Sequence, residues 1–236
     1  MRTLTLMCVA IGLLSACGKS DQPTTGKPES NTNAARVAAL PFTIEGASLS
    51  DMFQNNLKVA KVEVGITGGS PSQWTATSIA IAERVATFGA DSVEVSVRRS
   101  DVTQSRGDRF REVAHAYYSP DPSHSVWDDK DKWKLLQADA THLSTQRDVS
   151  IYEEFSDLNQ KLVDKGMDEN AADQKAGAII AKKYHLAKDW RLPIGNVLND
   201  ASRGKMNVDV APANDGLAAL DRCLNGKIVR MMTTCS

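Results

Sequence analysis

The stretch at residues 62–74, VEVGITGGSPSQW, decides how the middle of the chain folds. Its first residues alternate between apolar and polar side chains, which is the pattern of a half-buried strand. Ser70, Pro71 and Gln73 then match the N-cap, first and third positions of a capping box, so a helix should begin directly after the glycines. The stretch therefore predicts a strand that turns through Gly68 and Gly69 into a helix.

A second and a third strand follow this helix. The helix should end at Gly89, and valines alternate with polar residues over 93–97, which predicts a strand. A single helix between two strands implies a right-handed βαβ crossover. Residues 112–118, EVAHAYY, should pair antiparallel with the second strand, and a short strand is expected at 133–137. Residues 34–145 are thus expected to form a small β-α-β-β layer with a mixed sheet.

The second half of the chain predicts a helical hairpin. Asp148 is the expected N-cap of a helix that ends at Gly166, and Asp168 should cap the next helix. Two helices joined by so short a connection form an αα-hairpin, which we assign to residues 146–200. The expected fold class is therefore α/β or α+β.

The C-terminal segment, residues 201–236, predicts a short helix and an edge strand. Asn214 or Asp215 should cap the helix, Gly226 should end it, and residues 228–232 could form the strand. Alternatively, Asn225 and Gly226 form a hairpin turn.

The N-terminus has the sequence features of an export signal. Arg2 precedes an apolar stretch at residues 4–14, which is about half the ~20 residues that span a bilayer, so residues 1–16 fit a signal peptide. Residues 14–17, Leu-Ser-Ala-Cys, resemble the lipobox of bacterial lipoproteins. This resemblance implies that the thiol of Cys17 is joined to diacylglycerol, that the chain is cut before Cys17, and that the protein stays on a membrane.

Residues 17–33 should form a lipidated, flexible tether, because they lack large apolar side chains and are rich in Pro, Gly, Ser, Thr and Asn. Gly18 follows the lipidated cysteine instead of the aspartate that retains lipoproteins at the inner membrane in enteric bacteria. In some other Gram-negative bacteria a start of Cys-Gly-Lys-Ser, as here, retains the lipoprotein there. We therefore favour the inner over the outer membrane, with the protein facing the periplasm.

The cysteines agree with export. Cys8 leaves with the signal peptide and Cys17 carries the lipid, which leaves Cys223 and Cys235 in an oxidising compartment. We predict that these two form a disulfide that clips the C-terminal helix to its strand. Closing so short a loop should stabilise the fold by roughly 3 kcal/mol.

The motifs favour neither a cofactor nor a metal. The glycine loop has no G-x-G-x-x-G pattern and no P-loop lysine, and Pro71 removes one amide donor, so we interpret the loop as a tight turn. The four histidines show no HExxH spacing, and the loop carrying Asp121, His124, Asp128, Asp129 and Asp131 lacks the EF-hand register. We expect that loop to be a solvated acidic surface, and we assign no catalytic residue.

The composition narrows the class of partner. The chain has 28 Lys and Arg against 29 Asp and Glu, and the loss of Arg2 leaves a net charge of −2, so no basic field favours nucleic acid.

Tyr and Trp are enriched in contact surfaces, which makes one aromatic set the expected contact with an envelope protein: Tyr117, Tyr118, Trp127 and Trp133. We expect a non-catalytic binding or scaffolding lipoprotein of a cell-envelope assembly. A periplasmic binder of small molecules or peptidoglycan and an envelope hydrolase remain alternatives, and the sequence indicates no oligomeric state.

Replacing the lipidated residue tests the anchor. Cys17→Ser should abolish fatty-acid labelling and leave an unprocessed precursor, because both lipid attachment and cleavage depend on this thiol. Metabolic labelling followed by electrophoresis checks the outcome, and a labelled Cys17→Ser protein would contradict the prediction.

Overall fold

The computed structural model describes residues 36–52, 56–127, 130–187, 190–204, 206–209, 215–225 and 233–235. The chain divides into two units, Met1–Asn33 and Ala34–Ser236, and every described residue belongs to the second. Several predicted features lie outside the described residues: the signal peptide and lipobox, the tether, Asp128 and Asp129, Asn214, Gly226 and the strand at 228–232.

The described residues contain nine strands: β1 (Arg36–Ala38), β2 (Phe42–Met52), β3 (Leu57–Ile66), β4 (Ser92–Arg99), β5 (Glu112–Tyr118), β6 (Trp133–Ala138), β7 (Leu198–Ala201), β8 (Asn207–Asp209) and β9 (Thr233–Cys235). Seven of them form one mixed sheet, in the order β7-β6-β5-β4-β3-β2-β9. Within it, β3 and β4 pair in parallel, and the other neighbours pair antiparallel. The remaining two strands, β1 and β8, form a parallel pair.

The described ranges contain four α-helices and one short 3-10 helix, at Ala140–His142. The α-helices are α1 (Pro71–Ala86), α2 (Gln146–Asp164), α3 (Glu169–Lys183) and α4 (Asp215–Asn225). None of the helices in these ranges is both long enough and apolar enough to cross a bilayer.

The turn into α1 has the geometry that its sequence predicts. The Ser70 hydroxyl accepts a hydrogen bond from the Gln73 amide, and the Ser70 amide donates to Gln73 Oε1 at 3.1 Å, so the capping box is confirmed. Gly69 has φ +92°, and a Cβ added there would lie 2.4 Å from Leu40 Cδ1. The Trp74 indole nitrogen donates to the Gly68 carbonyl at 2.9 Å, which closes the turn.

Helix α1 lies in the centre of the main core. It packs against β4, β5 and β6 on one side and against the β1–β8 pair on the other. Ile79, Ile81 and Val85 are fully buried as a result. Helix α4 packs on β2 beside it, where Arg84 and Asp221 form two hydrogen bonds of 2.7 and 2.6 Å.

The α2–α3 hairpin has a core of its own, formed by Ile151, Phe155, Leu162, Ala172, Ala176 and Ile180. A small cluster of Val102, Phe110 and Val149, with Tyr152 against it, connects the start of α2 to the loop between β4 and β5. The hairpin therefore extends from the sheet as a separate packing unit.

The mixed α/β class, the parallel crossover and the antiparallel third strand are confirmed. The predicted layer was too small, since the 11-residue β2 and the short strands β7 and β8 also belong to the fold. Although β7 begins within the range assigned to the hairpin, it pairs with β6 of the main sheet.

The predicted cap of α2 was wrong by one turn. Thr145 is the N-cap, and Asp148 occupies the third helical position of a capping box, where its carboxylate accepts from the Thr145 amide at 2.7 Å. Asp168 caps α3 as predicted.

The capping box of α1 can be tested by substitution. Ser70→Ala should lower the free energy of unfolding by about 1 kcal/mol, because the amides of the first turn lose their acceptor. Ser70→Asp keeps an acceptor at the same position and should stay close to the parent protein. Urea unfolding measures both variants, and equal losses for alanine and aspartate would contradict the role of the cap.

Candidate functional site

The sheet has one apolar and one charged face. Val62 and Val64 of β3 are buried toward α1, whereas the side chains of Lys61 and Glu63, which alternate with them, are 62% and 47% exposed. Successive side chains of a strand point to opposite faces, so the same alternation continues through β4 and β5. We call the side away from α1 the polar face; its members include Lys61, Glu63, Glu94, Ser96, Arg98, His115 and Tyr117.

His115 is clamped between two carboxylates on the polar face. Its Nδ1 lies 2.6 Å from Glu112 Oε1 and its Nε2 lies 3.3 Å from Glu94 Oε1. Burial alone would lower the pKa of His115, but the hydrogen bond with Glu112 and the negative charges of Glu112 and Glu94 outweigh it and raise this pKa to about 9. His115 is therefore an imidazolium cation at neutral pH.

The clamp also acts on the carboxylates. The contact with His115 is the largest influence on Glu94 and, helped by Lys61 and opposed by burial, lowers the pKa of Glu94 to about 2. The pKa of Glu112 is lowered as well, although its burial opposes the shift. All three groups are thus charged across the neutral range.

The rest of the polar face continues this pairing of charges. Arg98 lies 2.9 Å from Glu63 and 3.7 Å from Glu45, and it also contacts Asp108. Arg111 forms an ion pair with Glu45. Ion pairs of this kind join β2, β3, β4 and β5 across the face, and their partners are spaced by the register of those strands.

The four aromatic residues predicted as a contact surface separate into two pairs. Tyr117 lies 4.5 Å from the His115 ring and 4.9 Å from the Trp127 ring, which places both neighbours on the polar face. Tyr118 stacks on Trp133 at 4.1 Å, and this second pair packs against the main core. The structure therefore does not bring all four together, because Tyr117 and Tyr118 point to opposite faces of β5.

The other predicted positions are dispersed. His124 lies 3.7 Å from Asp91, His142 pairs with Asp139 at 3.1 Å, and His185 has φ +52° at the end of α3. Within the described ranges, no three His, Cys, Asp or Glu side chains are arranged to hold a metal ion.

The predicted Cys223–Cys235 disulfide stays a prediction. Helix α4, which carries Cys223, packs on β2, and β9, which ends at Cys235, pairs with the same strand, where Cys235 is opposite Ala47. This placement of the two backbones is compatible with the predicted disulfide.

Residues 192–197, which we call the apolar loop, form a surface that the sequence did not reveal. Ile194 is 70% exposed and Val197 is 55% exposed, more than any other large apolar side chain in the described part of the chain. Met52 and Ile179, both 43% exposed, come next. In sequence, the only signal is an apolar residue between Pro193 and Gly195, which indicates a turn but not exposure.

The backbone of the apolar loop is held in place from below. The Asn196 side chain accepts from the Ser144 amide at 2.8 Å and donates to the carbonyls of Phe110 and Glu112 at 3.1 and 2.9 Å. The main-chain amide of Asn196 donates to the Arg109 carbonyl at 2.8 Å. Gly195 has φ +97°, and a Cβ there would lie 2.6 Å from the Arg109 oxygen. The exposed side chains thus extend from a fixed backbone.

A cleft of about 390 Å³ adjoins this loop. Phe155 and Gly177 of the hairpin line it on one side, and Trp190 and Leu192 line it on the other. A cavity of this size and composition can accept an apolar side chain or a small ligand.

Comparison with known proteins gives a likeness of fold. No family model and no curated protein matches the chain. The crystal structure of a DUF487 family protein from Desulfovibrio piger ATCC 29098 is similar with a TM-score of 0.51, over 71% of this chain and 97% of that one. The identity is 18%, so the likeness concerns the fold alone.

The His115 clamp makes stability depend on alkaline pH. Folding raises this pKa from 6.5 to about 9, so the stabilisation is fully present below pH 6.5 and is lost as the pH rises through 9. We expect the free energy of unfolding to fall by up to ~3 kcal/mol over this window, at about 1.4 kcal/mol per pKa unit. Urea unfolding at several pH values measures this loss.

In His115→Gln, the loss of unfolding free energy at alkaline pH should be much smaller than in the parent protein. His142→Gln is the matched control, because the His142 side chain is 82% exposed, and it should behave like the parent. An NMR titration of the His115 imidazole with a midpoint below 6.5 would overturn the clamp.

Proposed function

We propose that this chain is a lipid-anchored lipoprotein of the cell envelope, facing the periplasm, whose folded unit binds another protein without catalysing a reaction. The observation that carries the proposal is the exposure of Ile194 and Val197 on an anchored backbone. Exposed apolar side chains in a group mark contact surfaces, because removing them from water contributes about 25 cal/mol per Å².

The anchoring of the apolar loop makes it suitable for recognition. A mobile loop must be ordered when a partner binds, and that ordering opposes association. Here the hydrogen bonds of Asn196 to Ser144, Phe110 and Glu112 have already fixed the backbone. The free energy gained by burying Ile194 and Val197 therefore does not have to offset the ordering of the loop.

The neighbouring cleft supports a protein partner. Trp190 and Phe155 line this cleft together with Leu192 of the apolar loop, and an apolar side chain of a partner could fill the space between them. Contact surfaces usually combine such an apolar centre with a polar surround.

On the polar face, the charged groups are paired with one another. The His115 imidazole is held as a cation by Glu94 and Glu112, which are themselves engaged in ion pairs. Tyr117 and Trp127, on the same face, stay a predicted second contact, whereas Tyr118 and Trp133 serve the core.

The lipid anchor supports the location of this function. It rests on the lipobox at residues 14–17, and the residues after Cys17 favour the inner membrane. A partner would accordingly be another component of the envelope, either in that membrane or in the periplasm.

Site-specific photo-crosslinking in intact cells tests the apolar loop. A crosslinking amino acid at Ile194 or at Val197 should form one discrete adduct with another protein, because both side chains face the proposed partner. Positions Met52 and Ile179 are matched controls, since they are also exposed and apolar, and they should not form that adduct. Adducts of equal pattern and yield at all four positions would contradict the proposal.

A second variant measures the contribution of the exposed pair. With the crosslinker at Val197, Ile194→Ser should reduce the adduct at least tenfold, because central contact residues contribute about 2 kcal/mol or more. Ile179→Ser should leave the yield unchanged. An unchanged yield in Ile194→Ser would show that the loop is not the contact.

A further inference from the structure

We propose that the partner contributes an extended strand that pairs with the outer edge of β7. This inference deepens the proposed function and rests on it. Strand β7 lies at one edge of the seven-stranded sheet, and it begins directly after the exposed Val197. The edge backbone and the apolar loop therefore form one continuous surface.

The hydrogen bonds between β5 and β6 determine which amides and carbonyls of β7 point away from β6. The Ser119 amide donates to the Lys132 carbonyl at 3.0 Å, directly beyond the paired residues Tyr118 and Trp133. In an antiparallel ladder, hydrogen-bonded and non-hydrogen-bonded pairs alternate. The next hydrogen-bonded pairs must then be Tyr117–Lys134 and His115–Leu136.

The same alternation passes through β6 to β7. Because Lys134 and Leu136 direct their amides and carbonyls to β5, the residues between and after them, Leu135 and Gln137, direct theirs to β7. Their partners there are Ala201 and Asn199.

Leu198 and Asp200 consequently direct their amides and carbonyls outward, away from β6. In the part of the chain that the structure describes, no group forms a hydrogen bond with these outward groups.

The chemistry of such an edge selects its occupant. Outward amides and carbonyls at every second residue are complementary to an extended main chain, which is the basis of recognition by strand addition. Proteins usually protect edge strands with short length, charged side chains, proline or a bulge. Of these devices, β7 has the short length and the charge of Asp200, and its four residues contain neither lysine nor proline. Strand β7 reads Leu-Asn-Asp-Ala and pairs with β6 over its four residues without a register shift. A partner strand along this edge would place a side chain over Val197, and an apolar one fits that position.

Two substitutions of one residue separate main-chain pairing from side-chain effects. Asp200→Pro removes the outward amide, and proline is tolerated on edge strands where its nitrogen faces away from the neighbour. Asp200→Ala removes the carboxylate and keeps the amide. With the crosslinker at Ile194, the adduct should fall at least tenfold in Asp200→Pro and stay unchanged in Asp200→Ala. Equal yields in the two variants would overturn strand pairing.

Crosslink mapping gives a second readout that does not depend on how Asp200→Pro folds. Crosslinkers at Asn199 and at Ala201, which point to the same face of β7, should react with two partner residues that are two positions apart, as identified by mass spectrometry of the adducts. Adducts at unrelated partner positions, or none at either residue, would overturn the proposal. Regular spacing would identify an added strand.

The two proposals fail in different ways. If Ile194→Ser abolishes the adduct at Val197 while Asp200→Pro leaves the Ile194 adduct intact, the apolar loop is the contact and strand addition is wrong. If crosslinkers at Ile194 and Val197 form no adduct in the parent protein, the proposed function itself is wrong.

Discussion

The burial of α1 on two sides is the constraint on which the rest of the structure depends. One side of this helix packs on β4, β5 and β6, so its other side would be exposed without the β1–β8 pair. Its polar side chains are accommodated by hydrogen bonds, since Thr75 donates to Gln137 Oε1 at 2.8 Å and Thr77 accepts from the Leu40 amide at 2.8 Å. A helix that is buried on both sides needs a second layer of backbone. Strands β1 and β8, at residues 36–38 and 207–209, pair to form this layer although they are far apart in sequence.

The parts of the fold that the sequence predicted are those with local causes. The β3 alternation, the capping box at Ser70 and the strands around α1 each follow from residues within one or two turns of each other. Strand β2 was missed because a register shift between Ile44 and Gly46 interrupts its alternation. Strands β7 and β8 have only four and three residues, too few to show a period. At α2, Thr145 and Asp148 are both good capping residues, and only the tertiary position of the helix start distinguishes them.

The candidate site was less predictable because its properties come from distant contacts. Ile194 looks in sequence like any core residue, and its exposure depends on Asn196, whose side-chain partners Phe110 and Glu112 are 86 and 84 residues away. The clamp on His115 likewise requires Glu94 from the neighbouring strand. By contrast, the separation of Tyr117 from Tyr118 was implicit in the strand assignment, since adjacent residues of a strand face opposite ways.

Glu112 connects the polar face to the apolar loop. Its carboxylate binds His115 and accepts from the Ser96 hydroxyl at 2.7 Å, while its carbonyl accepts from Asn196 at 2.9 Å. The charged groups of the sheet therefore fix the side chain of Glu112, the first residue of β5. Its main-chain carbonyl in turn holds the loop that carries Ile194 and Val197. Because charged hydrogen bonds are stronger than neutral ones, the ion pairs of the polar face can restrain the loop better than its own short turns could. The rigidity of the proposed contact surface is in this sense a property of the sheet, and the same sheet continues through β6 to β7, the edge strand of the described sheet.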